Sequence, residues 1–178
     1  MDSRVMKRHF FFKAPWDQTL TVVTVVTGLL LTMIALMFVI LGIQQQDAAT
    51  FLWAILPVGI LAIAALFMVQ GYYLEGDRLR IQRLGWQRTI SLDTLIRVTH
   101  DPLAMQRSIR LFGNGGLFAF SGIFWNRKLG RYTAYATVPR LAVVLTFIDQ
   151  TIVITPERPD DFTALVIAFK FPPQTAGD

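Results

Sequence analysis

The side chains that could do covalent or metal chemistry are few and badly spaced for it. The only histidines are His9 and His100, and there is no cysteine, so thiol chemistry and thiolate metal sites are excluded. His9 precedes a long apolar run, and no His/Asp/Glu group has the spacing of metal ligands. His100–Asp101, followed by Pro102, reads as a solvated loop pair. Ser91, Ser108 and Ser121 lack the G-x-S-x-G context that exposes a nucleophilic serine on a sharp turn. Gly113–Asn114–Gly115–Gly116 could cradle phosphate, but no Gly-Lys-Ser/Thr follows and no helix begins there. Glycines supplying unusual backbone angles in a turn account for it. The sequence therefore predicts no catalytic residue, no cofactor site and no metal site, and the chain reads as a non-enzyme.

Recognition chemistry is better represented. From Tyr72 onward there are thirteen Lys and Arg against nine Asp and Glu. They gather as Arg78, Arg80, Arg83 and Arg88 in one stretch, and as Arg127, Lys128 and Arg131 just after Trp125 in another. Basic residues near a membrane attract anionic headgroups with about 1 kcal/mol each. These eight residues are the candidate lipid or partner surface. The competing reading, a solvated sheet face with topology signals, needs only arginines alternating with core residues along a strand. Nucleic acid is not expected as a partner, because no binding motif accompanies the charge. Residues 117–125, LFAFSGIFW, carry four aromatic rings and no charge. They fit a buried strand, an apolar loop at the membrane interface, or a partner patch.

The elements that must position these residues begin in the membrane. No charged side chain occurs between Asp17 and Asp47, or between Asp47 and Glu75. A bilayer core of roughly 30 Å needs about 20 apolar residues in helix, and both windows exceed that. Leu20 to Ile43 shows no strict alternation, so it is a helix; the second window, from Thr50, reads the same way, with Pro57 and Gly59 inside it. The first run is too long for the apolar segment of a cleaved signal peptide. Arg4, Lys7, Arg8 and Lys13 precede the first span, the loop Gln44–Thr50 has no Lys or Arg, and Arg78 to Arg88 follow the second span. The positive-inside rule then places both termini in the cytoplasm. Phe10, Phe11, Phe12 and Trp16 read as rings at headgroup level.

Beyond Tyr72 the apolar period drops to two. Leu79 and Ile81 alternate with Arg78, Arg80 and Gln82, and after a turn at Gly85–Gln87 the segment RTISL repeats the apolar–polar pattern with Ile90 and Leu92, which predicts an antiparallel hairpin. Ile96 and Val98, Ile109 and Leu111, and Arg131–Thr137 predict further strands. AVVLTFI and TIVITP flank a tight turn at Asp149–Gln150. Pro159 suits the first position of a closing helix, with Asp160 and Asp161 on its positive end. Phe162, Leu165, Val166 and Phe169 form one apolar stripe along it, and Pro172–Pro173 end it.

This order of elements, with LFGNGGLFAFSGIFWNRKLGRYTAYAT (111–137) and VVLTFIDQTIVITPERPDDF (143–162), resembles the bacterial pleckstrin-homology-like domains that often follow transmembrane helices. In relatives the approach to the last helix carries an N-capping Asp, where Arg158 stands here. The resemblance covers the β region, about Tyr72 to Ile167, and none of the hairpin. It implies a seven-stranded, partly open barrel plugged at one end by the C-terminal helix, and supplies neither a catalytic site nor a ligand.

The organisation expected is a basic leader (1–19), a two-helix transmembrane hairpin (20–71), a PH-like domain (72–171) and a tail (172–178). The expected protein is a multi-pass inner-membrane module facing the cytoplasm that binds a membrane-associated protein or itself, with anionic lipid as a possible ligand. A lipid-sensing module and a small transporter or channel accessory subunit are the alternatives. Against the last, neither helix carries the ionisable residue that marks an ion path.

Overall fold

The computed structural model describes residues 9–171. After a short strand at His9–Lys13 come two helices, α1 (Gln18–Gln45) and α2 (Ala48–Leu66). Asp17 and Asp47 cap them, each carboxylate accepting a backbone N–H of the first turn, from Leu20 at 2.7 Å and Ala49 at 3.0 Å. Gln46 takes a left-handed conformation between them, which reverses the chain. The helices pack as an antiparallel hairpin, the Phe51 ring lying where Gly42 has no side chain. Both are long and apolar enough to cross a membrane, and almost none of their surface is buried within the protein. Val22, Leu30, Met33, Leu52 and Trp53 all point outward. Helices that are apolar all round and uncovered by protein need lipid.

Between α2 and the first strand of the β region stand only Phe67 and Met68. The strands are β1 (His9–Lys13), β2 (Val69–Glu75), β3 (Arg78–Arg83), β4 (Gln87–Ser91), β5 (Leu95–His100), β6 (Ile109–Gly115), β7 (Phe120–Asn126), β8 (Gly130–Ala136), β9 (Val143–Phe147) and β10 (Thr151–Ile154). One sheet has the order β1-β2-β3-β4, the other β5-β9-β10-β8-β7-β6, and the barrel is not closed. All pairings are antiparallel except β10 with β8. The helix α3 (Pro159–Lys170) follows.

The main core draws Tyr72, Leu74, Leu79, Ile81, Leu92, Leu145, Ile152 and Ile154 from the inward faces of both sheets, closed by Phe162 and Val166 of α3. Phe162 and Val166 are fully buried, whereas Phe169, expected on the same stripe, is 40% exposed near the helix end, its ring 5.9 Å from that of Phe10. Arg158 gives α3 no side-chain cap; its guanidinium instead reaches Asp161 at 3.3 Å and lies over the Phe12 ring. A smaller cluster on the outer face of the larger sheet joins Phe124, Tyr132 and Ala134 to Ala104.

Several expectations are corrected. Phe10–Phe12 do not lie at headgroup level as a group: residues 9–13 form β1 on β2, and Phe12 is 4% exposed, edge-on to Phe162 at 5.2 Å. A strand that completes a sheet buries more apolar surface than a ring at the interface. Arg4, Lys7 and Arg8 lie outside the described residues, as do Pro172 and Pro173. The strands exceed the expected seven, because β1 is added from before the hairpin, β2 begins at Val69 within what reads as the end of the second span, and residues 120–126 form β7. Gly113 and Gly115 belong to β6 rather than to a turn. Gly113 faces Gly122 across the ladder, both with positive φ, and a side chain at Gly113 would meet the Ser121 carbonyl oxygen at 2.3 Å. The glycines there serve close backbone approach.

Candidate functional site

Strand directions divide the basic residues between the two ends of the β domain. β2 leaves the membrane helices at Val69 and runs away to Glu75; β3 returns to Arg83. The β3–β4 turn packs beneath α2: the Leu84 N–H donates to the Met68 carbonyl at 3.2 Å, and the Trp86 indole donates to the Leu66 carbonyl at 3.3 Å. The β6–β7 turn reaches α1, where the Phe118 N–H donates to Thr24 Oγ1 at 3.0 Å and the Phe118 ring lies 6.2 Å from Trp16. The end of the domain carrying these two turns is therefore the one beside the helices.

Arg83 lies at that helix-side end, and the structure removes it from the surface. It is 5% exposed, with its guanidinium carbon 4.8 Å from the ring centroids of Trp86 and Tyr135 and 5.3 Å from that of Phe67. Nη2 donates to Ser121 Oγ at 3.2 Å, and Nε has no partner. No carboxylate of the described residues pairs with it. Burial is the main cause that lowers its pKa, yet an arginine keeps its charge. Three ring faces replace the lost water, an arrangement in which cation–π attraction is strongest. Arg83 is thus a pin joining the exit of α2 to β3, β7 and β8. Alternation along β3 already puts Arg83 on the inward face, two and four residues after Ile81 and Leu79, and its place among neighbouring arginines hid that signal.

Arg88 is exposed beside this pin, 5.8 Å from the Tyr135 ring. Arg78 and Arg80 lie at the opposite end of β3, where Arg80 pairs with Glu75, which His9 also contacts at 2.9 Å. The four arginines of the first hairpin therefore do not form one surface.

Trp125, Arg127 and Lys128 do come together. With Leu103, Arg107 and Ile109 they line an open groove of about 720 Å³. Arg131 faces Trp125 across the β7–β8 ladder and is exposed. Asn126, buried beneath them, sets the geometry. Its Nδ2 donates to the Ala104 carbonyl at 2.8 Å and to Ser108 Oγ at 3.0 Å; its Oδ1 accepts from the Lys128 and Leu129 N–H groups at 3.0 and 2.7 Å. Both the 101–108 loop and the 127–129 turn hang on this amide. Lys128 pairs with Asp101, which uses part of its charge. His100 bonds Asp160 of α3 at 2.9 Å rather than forming a unit with Asp101. Arg107 and Asn126 were not singled out in the sequence; an Asn beside a basic turn is a weak signal by itself.

The segment 117–125 is strand for most of its length. Phe124 is buried in the outer cluster, while Trp125 is 41% exposed. Among the described residues, no three His, Asp or Glu side chains converge on one point.

A helical hairpin joined to an open two-sheet β domain with a closing helix defines a membrane-associated binding module of pleckstrin-homology type. The family model described as Bacterial PH domain matches residues 70–167, more than half of the chain, and the chain belongs to that family. No curated protein and no solved structure matches it significantly.

Proposed function

We propose that this protein is a membrane-anchored, non-enzymatic adaptor whose groove at Trp125, Arg127 and Lys128 binds a membrane-associated protein or a second copy of the chain. The supporting observation is the position of that groove. It opens at the end of β7 opposite the turn that touches α1, six strand steps away, or about 20 Å at roughly 3.3 Å per step. Headgroups of the anchoring membrane are poorly placed to fill it. A protein is not so restricted, and an exposed tryptophan flanked by arginines is the composition favoured at protein contacts. The basic flanks of the hairpin favour a cytoplasmic domain with both termini inside.

The test is the mass and composition of the particle after gentle detergent extraction, for the native chain and for Trp125→Ala combined with Arg127→Glu. A native particle larger than a monomer that loses its companion in the double variant is the expected result. A native monomer, unchanged in the variant, would overturn the reading in favour of lipid sensing. A reporter fused after Asp178 that works only outside the cytoplasm would overturn the orientation.

A further inference from the structure

The helix-side end of the domain carries a second, separate surface. α1 ends its apolar run at Ile43, and counting back the ~20 residues that a bilayer core requires reaches Thr24. Thr24 is the residue whose hydroxyl accepts from Phe118, and it is buried, with Leu20 one turn before it, in a helix whose apolar residues are mostly exposed. On the other helix, α2 ends at Leu66, the residue whose carbonyl accepts from Trp86. Pairing Gly42 with Phe51 across the hairpin brings the α1 residues near Thr24 to the level of the α2 exit. Two turns from different sheets, Leu84–Trp86 and Gly116–Phe118, therefore reach the same level, the boundary of the hydrocarbon core.

These turns are apolar where a cytoplasmic surface would be polar. Leu84 and Trp86 are each 51% exposed, Trp16 is 39% exposed, and Leu117 is half-buried. Phe118 holds a left-handed backbone conformation, φ 66°, unusual for a non-glycine residue, while strapped to α1. Arg110 runs back along its strand until its guanidinium lies over Gly115, placing a cation at the base of the β6–β7 turn, as Arg88 does beside the β3–β4 turn. Apolar tips with a cation just behind each is the pattern of an interfacial contact, in which rings and leucines enter the acyl boundary and cations meet phosphate.

We propose that the Leu84–Trp86 and Gly116–Phe118 turns insert into the headgroup region and seat the β domain directly on the bilayer, with Arg88 and Arg110 on lipid phosphates. The occupant of this surface is the lipid itself, because the surface is continuous with two helices whose uncovered faces already require it. The domain is then held at three places, and the groove at Trp125 is presented in a fixed orientation away from the membrane. The proposal rests on membrane association alone and survives if the groove has no protein partner.

The absence of cysteine allows a clean test. Single cysteines are placed at Leu84, Leu117 and Ile148, and the full chain is labelled with an environment-sensitive fluorophore. Ile148 is 74% exposed at the β9–β10 turn, next to Thr94 and so at the far end of the sheets. Each protein is reconstituted in nanodiscs of phosphatidylcholine and phosphatidylglycerol, with and without lipid carrying a shallow doxyl quencher. Expected is quenching at least about twofold stronger at positions 84 and 117 than at 148, as interfacial insertion requires. Combining Arg88→Gln with Arg110→Gln should reduce that quenching when phosphatidylglycerol is present. Equal quenching at the three positions would overturn the proposal. So would a blue-shifted but unquenched label at 84 and 117, since that signals a protein cover rather than lipid.

Discussion

The Arg83 guanidinium carbon sits 4.8 Å from the centroid of the Trp86 ring, and that ring's indole is bonded to the last carbonyl of α2. A charge with no carboxylate partner among the described residues thus lies where the membrane helix becomes a β-strand. Two opposing effects meet there. Burying a guanidinium costs several kcal/mol; three desolvated ring contacts return about 1–2 kcal/mol each. The near balance predicts that Arg83→Met, which keeps the packing and removes the charge, changes stability by no more than about 1 kcal/mol. Arg83→Ala, which leaves a cavity between Phe67, Trp86 and Tyr135, should cost about 2–4 kcal/mol. Thermal unfolding of both variants in the same detergent separates charge from packing; equal losses would mean that the cation–π contacts dominate.

Phe12 tests whether the N-terminal aromatic residues belong to the sheet or to the membrane. Its ring meets Phe162 edge-on inside the core. Phe12→Ala should destabilise the protein by about 3–5 kcal/mol, in detergent as well as in bilayer. An interfacial anchor would instead matter only when lipid is present. Unfolding in both media distinguishes the two.

Tyr72 makes stability depend on alkaline pH. Its hydroxyl donates to the Tyr135 carbonyl at 2.6 Å and accepts from the Thr155 N–H at 3.1 Å, fully buried. Burial pushes its pKa up to about 12 from an ordinary 10, against the weaker opposing effect of the Thr155 hydrogen bonds. The folded state holds the proton more tightly than the unfolded state does. This contribution is therefore complete below pH about 10 and is lost as pH rises toward about 12. The loss should be about 2–3 kcal/mol, at 1.36 kcal/mol per pKa unit. Tyr72→Phe should be less stable at neutral pH by about 1–3 kcal/mol, because Thr155 N–H and Tyr135 C=O lose a buried partner. Its stability should fall less between pH 10 and 12, a difference read from denaturant melts across that range.

Asn126 tests whether the groove is organised from beneath. Asn126→Ala removes both donors and the acceptor that hold the 101–108 loop and the 127–129 turn, and should cost about 2–3 kcal/mol. Amide exchange at Lys128 and Leu129 should accelerate well beyond exchange in β9 and β10. Asn126→Asp retains Oδ1 and should protect these two amides while freeing Ala104 and Ser108.

What could be read directly from the residues follows from local rules. The charge-free windows had to hold helices, although the second ends in strand β2 from Val69; the period-two alternation at Leu79–Ile81 and Ile90–Leu92 set one face of a hairpin; and the Phe162–Val166 stripe needed a sheet to cover. The basic cluster around Trp125 was also legible, because Trp125, Arg127 and Lys128 are neighbours in sequence and β7 delivers them to one end. The first arginine cluster was not. Alternation separates Arg83, which shares the face of Leu79 and Ile81, from Arg78 and Arg80, but only the tertiary structure supplies the Phe67, Trp86 and Tyr135 rings that hold a guanidinium on that face. Likewise the Gly113–Gly116 run has the composition of a turn. Only the partner strand shows that Gly113 must yield to Gly122.

The sequence alone determined that this chain has a membrane hairpin and a β domain with a closing helix, since those depend on apolar period and length within single segments. Tertiary structure decided which face of the domain meets the helices, that β1 completes a sheet from across the hairpin, and that the basic residues split between a buried pin, a helix-side end and a distal groove. These depend on pairings between segments far apart in the chain, such as Phe118 with Thr24 and Tyr72 with Thr155. Such contacts leave no periodic mark, because their free energy comes from desolvation and register that exist only once both partners are in place.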